Sequence, residues 1–171
     1  RESLYRFIGP PLHESYEKFY SFSREQAMQA VSYYREYYEE KGMFENEVYP
    51  GIKQLLRDLI KQGVLCLVAT SKPEIYAKKI LDYYELSNYF YYIAGANMDG
   101  TRTDKAEVIA YALKQIPAEY SNKKVLMVGD RSHDIIGAKK NGIDCAGVLF
   151  GYGSREELEE AGADFVADSV E

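Results

Sequence analysis

From Gly63 onward short apolar runs alternate with amphipathic stretches. Residues 64–69, 91–94, 124–128, 145–149 and 165–167 read as strands, and residues 73–84, 104–115, 132–141 and 154–161 as the helices between them. Strands separated by helices pair in parallel, through right-handed crossovers that place helices on both faces of the sheet. The run 64–69 has no polar alternation, as expected of a strand buried on both faces. Gly142 as a helix C-cap and Ser154 with Glu157 as a capping box mark element ends. The expected class is therefore α/β, with a Rossmann-like parallel sheet. Ligands of such sheets bind at the carboxyl ends of the strands, so functional residues are sought there.

The first fifty residues are purely helical in pattern. Residues 11–20 form one helix, and Ser23 with Gln26 three places later starts a second that runs to Gly42. Its tyrosines and Val31 recur at helical spacing, which predicts a two-helix packing unit. Pro50 and Gly51 restart the chain, and Ile52, Leu55, Leu56, Leu59 and Ile60 form a stripe suited to a sheet face, ended by Gly63. Two regions are expected: a small helical domain at 1–48 and an α/β core at 49–171.

With 171 residues, 46% of them hydrophobic, the chain can bury a proper core. A net charge of −6 offers no basic face, which argues against nucleic-acid binding. No apolar run approaches the roughly 20 residues of a membrane helix, and no signal segment opens the chain, so no membrane partner and a cytoplasmic location are expected. Cys66 and Cys145 fall in predicted strands as small apolar side chains, without disulfide or zinc spacing. The 17 tyrosines are read as packing surface, and the oligomeric state is left as monomer or homodimer. Residue 1 is Arg, within what reads as a helix, and the chain ends soon after its last strand, where a further covering helix is expected. The natural protein is expected to be longer at both ends.

Three strand ends carry chemistry. The strand 64–69 ends in Thr70-Ser71-Lys72-Pro73, hydroxyls before a helix N-terminus, which serve equally as an anion site or as a helix cap. Lys105 stands in the first turn of a helix, where it opposes the helix dipole at a cost of up to about 1 kcal/mol unless a negative group offsets it. A solvated surface lysine is the other reading. The strand 124–128 ends in Gly129-Asp130, with Asp134 four residues on. Two carboxylates at that spacing suit a hard cation such as Mg²⁺, which needs one or two carboxylates and completes its shell with water and phosphate. A turn with a helix N-cap would have the same residues.

In order and spacing, Thr70-Ser71-Lys72-Pro73, Lys105 and Gly129-Asp130-Arg131-Ser132-His133-Asp134 resemble motifs two, three and four of the haloacid dehalogenase superfamily. Phe7-Ile8-Gly9-Pro10-Pro11-Leu12, Tyr49-Pro50-Gly51, Asp99-Gly100-Thr101-Arg102 and residues 147–153 are similar to its phosphoglycolate-phosphatase-like branch. The resemblance implies that 1–48 is a cap domain and 49–171 the core without its first strand. It implies that Thr70 and the Ser71 amide bind phosphate, that Lys105 neutralises phosphate and nucleophile, and that Asp130 ligates Mg²⁺. Asp134 would hold a metal-bound water or orient Lys105, and Arg6, Gly9 and Pro10 would contact the leaving group.

One departure decides the chemistry. The superfamily attacks phosphate with the first aspartate of a D-x-D-x-T motif, and no D-x-D occurs in these residues; Asn97-Met98-Asp99-Gly100-Thr101 lacks the anionic first oxygen. The expectation is a Mg²⁺-dependent phosphatase of a small phosphorylated metabolite (phosphoglycolate-like, nucleotide or sugar phosphate), whose nucleophile lies in a missing N-terminal segment. These 171 residues alone are expected to fold poorly and to be inactive. A phosphomutase of the same superfamily and a non-catalytic phosphate- or partner-binding fragment are the alternatives.

Overall fold

The computed structural model describes residue 7 and residues 11–171, which form two compact units divided between Glu47 and Val48. Arg6, Gly9 and Pro10, expected to contact the leaving group, lie outside the described residues.

The first unit is built on α1 (Leu12–Tyr20) and α2 (Arg24–Glu40), followed by a 3₁₀ turn at Gly42–Phe44. Ser23 starts α2 with a complete capping box: its hydroxyl accepts from the Gln26 amide and the Gln26 side chain accepts from its own amide. Ala27, Val31 and Met43 are the buried apolar residues, and the Phe7 ring meets Tyr16, Phe19 and Tyr20. The expected packing of α1 on α2 is present, but the tyrosines of α2 supply only part of it, with Tyr34 stacked on Tyr38 at 5.2 Å between centroids. Tyr33 and Tyr37 face solvent, because the small Ala27 and the β-branched Val31 fill the buried face instead.

The second unit begins with α3 (Ile52–Lys61) and continues as β1 (Leu67–Pro73), α4 (Glu74–Tyr83), β2 (Tyr92–Ala96), α5 (Lys105–Leu113), β3 (Leu126–Gly129), α6 (Ser132–Lys140), β4 (Asp144–Val148), α7 (Arg155–Glu160) and β5 (Phe165–Ala167). All pairing is parallel, as the alternation requires, but the strands divide into two sheets: β1 with β2, and β3-β4-β5. Ala94, Val108 and Ala112 centre the core over the first sheet, and Ile135, Ala138, Cys145 and Leu158 the core over the second. Asp164 ties the second sheet to its helix, accepting from the Cys145 amide and pairing with Lys139 at 2.5 Å. The Lys139 ammonium, helped by the Cys145 amide, holds the Asp164 carboxyl down to about 2.

Three expectations need correction. The first strand starts at Leu67, so Val64 is exposed and Cys66 lies just before the strand, half-buried. In β3, Leu126 and Val128 are 51% and 54% exposed, although the apolar run predicted a buried strand: among the described residues β3 is paired along one edge only, with β4. The α3 stripe is only partly used, with Leu56 buried but Leu55 and Ile60 exposed, since this helix packs on the Ser87–Tyr89 turn rather than over a sheet.

Candidate active site

The carboxyl end of β1 is irregular. Thr70 pairs with Gly95 and Pro73 with Ala96, so Ser71 and Lys72 bulge out of the ladder. A bulge at a strand end re-aims side chains. Here the Thr70 hydroxyl accepts from the Lys72 amide at 3.2 Å and keeps its own proton for donation. Ser71 stands in the same bulge, half-buried. Lys72 is largely buried, and that burial pushes its ammonium below the ordinary lysine range.

Lys105 is the first residue of α5, whose N-cap Asp104 accepts from the amides of Ala106 and Glu107. Its ammonium donates to the Ala69 carbonyl at 3.1 Å and pairs with Asp134 Oδ1 at 2.8 Å, with both side chains mostly buried. The negative group that offsets the helix dipole is thus a side chain of the protein. Lys105 thereby links β1, at Ala69, to the first turn of α6, which follows β3 of the other sheet.

Asp134 is fully engaged. Beyond Lys105 on Oδ1, its Oδ2 accepts from the amides of Asp130 at 3.1 Å and Arg131 at 3.2 Å. Gly129 makes this approach feasible: a Cβ there would lie 2.3 Å from Asp134 Cβ and 2.4 Å from Oδ2. The Gly-Asp pair is therefore more than a turn signal, since the glycine clears space for the second carboxylate. Asp130 is half-buried, and its Oδ2 accepts from the Tyr152 amide at 2.8 Å. Its Oδ1 has no hydrogen-bond partner among the described residues.

Two supports escaped the sequence reading. Glu157 reaches back from α7 to accept from Arg131 Nε at 2.9 Å and the Ser132 amide at 2.8 Å. Burial alone would raise its carboxyl, but the Ser132 amide and the Arg131 guanidinium outweigh it and hold Glu157 below the usual range. Tyr152 reaches Asp130 through its backbone. The one available signal was the glycine-rich stretch 147–153, whose glycines a backbone approach requires. Near it stands Tyr49, whose phenol is pushed up by burial first and then by Tyr152 and Asp130.

Contacts thus link Lys105, Asp134 and Asp130 directly, and Lys105 to Ala69 beside Thr70 and Ser71, with a hydroxyl, a mostly buried ammonium and one Asp130 oxygen without a partner among the described residues. Among the described residues no group of three or more His, Cys, Asp and Glu side chains gathers to hold a metal. No helix among them is long and apolar enough to cross a membrane.

Residues 1–148 match the haloacid dehalogenase-like hydrolase family, and the chain belongs to it. It is 42% identical over 157 residues to a 5'-nucleotidase of Pseudomonas aeruginosa, covering 91% of this chain and 69% of that protein. A predicted phosphatase of Clostridium acetobutylicum superposes with a TM-score of 0.89 at 46% identity, over 98% of this chain and 77% of the other. The solved structure of the Mycobacterium tuberculosis protein tyrosine kinase A is also similar, with a TM-score of 0.80, 36% identity and the same shares of the two chains. Phosphoglycolate phosphatases match at lower identity, that of Vibrio vulnificus at 29% over 95% of this chain and 71% of its own length.

Proposed function

We propose that the intact protein is a Mg²⁺-dependent phosphatase of small phosphomonoesters. The observation that carries this reading is the Lys105 ammonium, mostly buried between Ala69 of β1 and Asp134 of α6, with Thr70 next in the chain to the first partner and the Asp130 amide bonded to the second. Mg²⁺ requires only one or two protein carboxylates when phosphate and water complete its octahedron. Asp130, with one oxygen fixed by an amide and the other open, fits that demand. The bound cation would supply charge neutralisation at the phosphate. Thr70 donates its hydroxyl proton to a phosphate oxygen, the Ser71 amide binds beside it, and Lys105 opposes the negative charge of phosphate and nucleophile. Asp134 serves the site by orienting Lys105, since both of its oxygens are taken within the protein.

The nucleophile is assigned to a carboxylate on a parallel strand outside these 171 residues, seated between β1 and β3: it attacks phosphorus as the ester P–O bond breaks, the leaving alcohol takes a proton from a second carboxyl of the same segment, and water then hydrolyses the aspartyl-phosphate to inorganic phosphate. The missing D-x-D, the division into two sheets and the exposed Leu126 and Val128 support that place for it. Nucleoside 5'-monophosphates head the candidate substrates because the 5'-nucleotidase relative is 42% identical, with phosphoglycolate and sugar phosphates next. The helical unit is proposed as the cap that selects among them.

The test is a steady-state assay of the full-length protein with Mg²⁺ on a panel of these esters. Lys105→Met is expected to lower kcat by about 10²–10³, the cost of removing one preorganised charge at a reacting phosphate. No turnover of any ester would overturn the phosphatase reading and favour a phosphate-binding protein. Turnover that appears only with an added bisphosphate would indicate a mutase.

A further inference from the structure

The Asp130 carboxylate is gripped by backbone rather than by side chains. The stretch after β4 passes so close that a Cβ on Gly151 would lie 2.2 Å from Asp130 Cβ and 2.3 Å from Oδ2, and one on Gly153 would lie 2.1 Å from the Asp130 carbonyl oxygen. Between those glycines, the Tyr152 amide donates to Oδ2 at 2.8 Å. A loop with glycine on both sides of Tyr152 is costly to order, because glycine loses the most conformational freedom on ordering. Some other contact must fix it. At its upstream end Leu149 donates to the Ala167 carbonyl at 2.9 Å, which ties the backbone to β5. The next residue, Phe150, meets the Tyr49 ring edge-on, with centroids 5.4 Å apart and planes at 69°. Tyr49 is itself anchored, since its carbonyl accepts from the Ile52 amide at the start of α3.

We propose that Tyr49 is a positioning residue for the cation site: its ring braces Phe150, and Phe150 holds the 151–153 loop on Asp130. Edge-to-face aromatic pairs favour one relative orientation, so the contact restrains the loop's direction as well as its distance. The ring performs this function and the hydroxyl does not. The inference rests on the reading of Asp130 as a Mg²⁺ ligand.

The experiment measures Mn²⁺ binding to the substrate-free, full-length protein by electron paramagnetic resonance, with thermal unfolding of each variant recorded alongside. Tyr49→Ala is expected to weaken Mn²⁺ about tenfold, the lower end of what loss of an outer-shell support costs in metal affinity. Tyr49→Phe keeps the ring and is expected to stay within about twofold of the parent by the same reasoning. Phe150→Leu keeps the apolar bulk, removes the ring pair and is expected to weaken binding as Tyr49→Ala does, which keeps the test decisive where Tyr49→Ala unfolds. If Tyr49→Ala and Phe150→Leu bind Mn²⁺ like the parent while Asp130→Asn does not, the bracing role is overturned and the cation reading stands. If Asp130→Asn binds as the parent does, the cation reading fails and the inference with it.

Discussion

Lys105 occupies a position that its own helix disfavours, and its two partners lie 36 residues before it and 29 after it, Ala69 and Asp134. Residue type and placement near strand ends made Thr70, Lys105, Asp130 and Asp134 the candidates the sequence offered. Their engagement was not legible there, because spacing along the chain does not show which oxygen of Asp134 meets which donor. Glu157, 26 residues from Arg131, was invisible for the same reason. The consequence for Asp134 is measurable. Asp134→Asn retains an acceptor for the amides but leaves a mostly buried ammonium without its counter-charge, so unfolding in urea is expected to show a loss of about 3 kcal/mol, the cost of breaking a buried pair. A loss below about 1 kcal/mol would place the pair among solvent-screened surface bridges.

Every strand and helix anticipated from Gly63 onward is present, with boundaries shifted by a few residues. The largest shift is at the site: β1 continues through Thr70-Ser71-Lys72 to Pro73, because the bulge lets the chain rejoin β2 at Ala96 after two unpaired residues. Nothing in the hydrophobic pattern encodes that rejoining. The pattern also overstated the burial of β3, since an apolar run reports a strand's suitability for burial rather than the neighbours available to bury it. Among the described residues β3 pairs only with β4, whereas β4 pairs on both sides. Amide hydrogen exchange of the 171-residue chain should therefore be about tenfold or more faster across Leu126–Gly129 than across Asp144–Val148. Equal protection of the two strands would mean that the open edge of β3 is covered.

At the scale of the whole molecule, the chain is two units joined at 47/48, each with its own buried residues. Glu45 and Glu47 are exposed and lie outside helix and strand. Proteases nick such segments first, so brief digestion with a glutamate-specific protease should release fragments beginning at Asn46 or Val48 before any helix is cut. A first cut within α2 would show that the junction is protected. The sequence by itself determined the α/β class, the parallel pairing and the helical pattern of the first unit. It could do so because periodicity and residue type are local properties that one strand or one helix already carries. Only the tertiary structure decided that the strands form two sheets, that Asp134 is spent on Lys105 and two amides, and that Asp130 is held by the backbone of a distant loop. Those outcomes depend on which surfaces and which lone pairs remain once every element is packed, a quantity that no single segment contains.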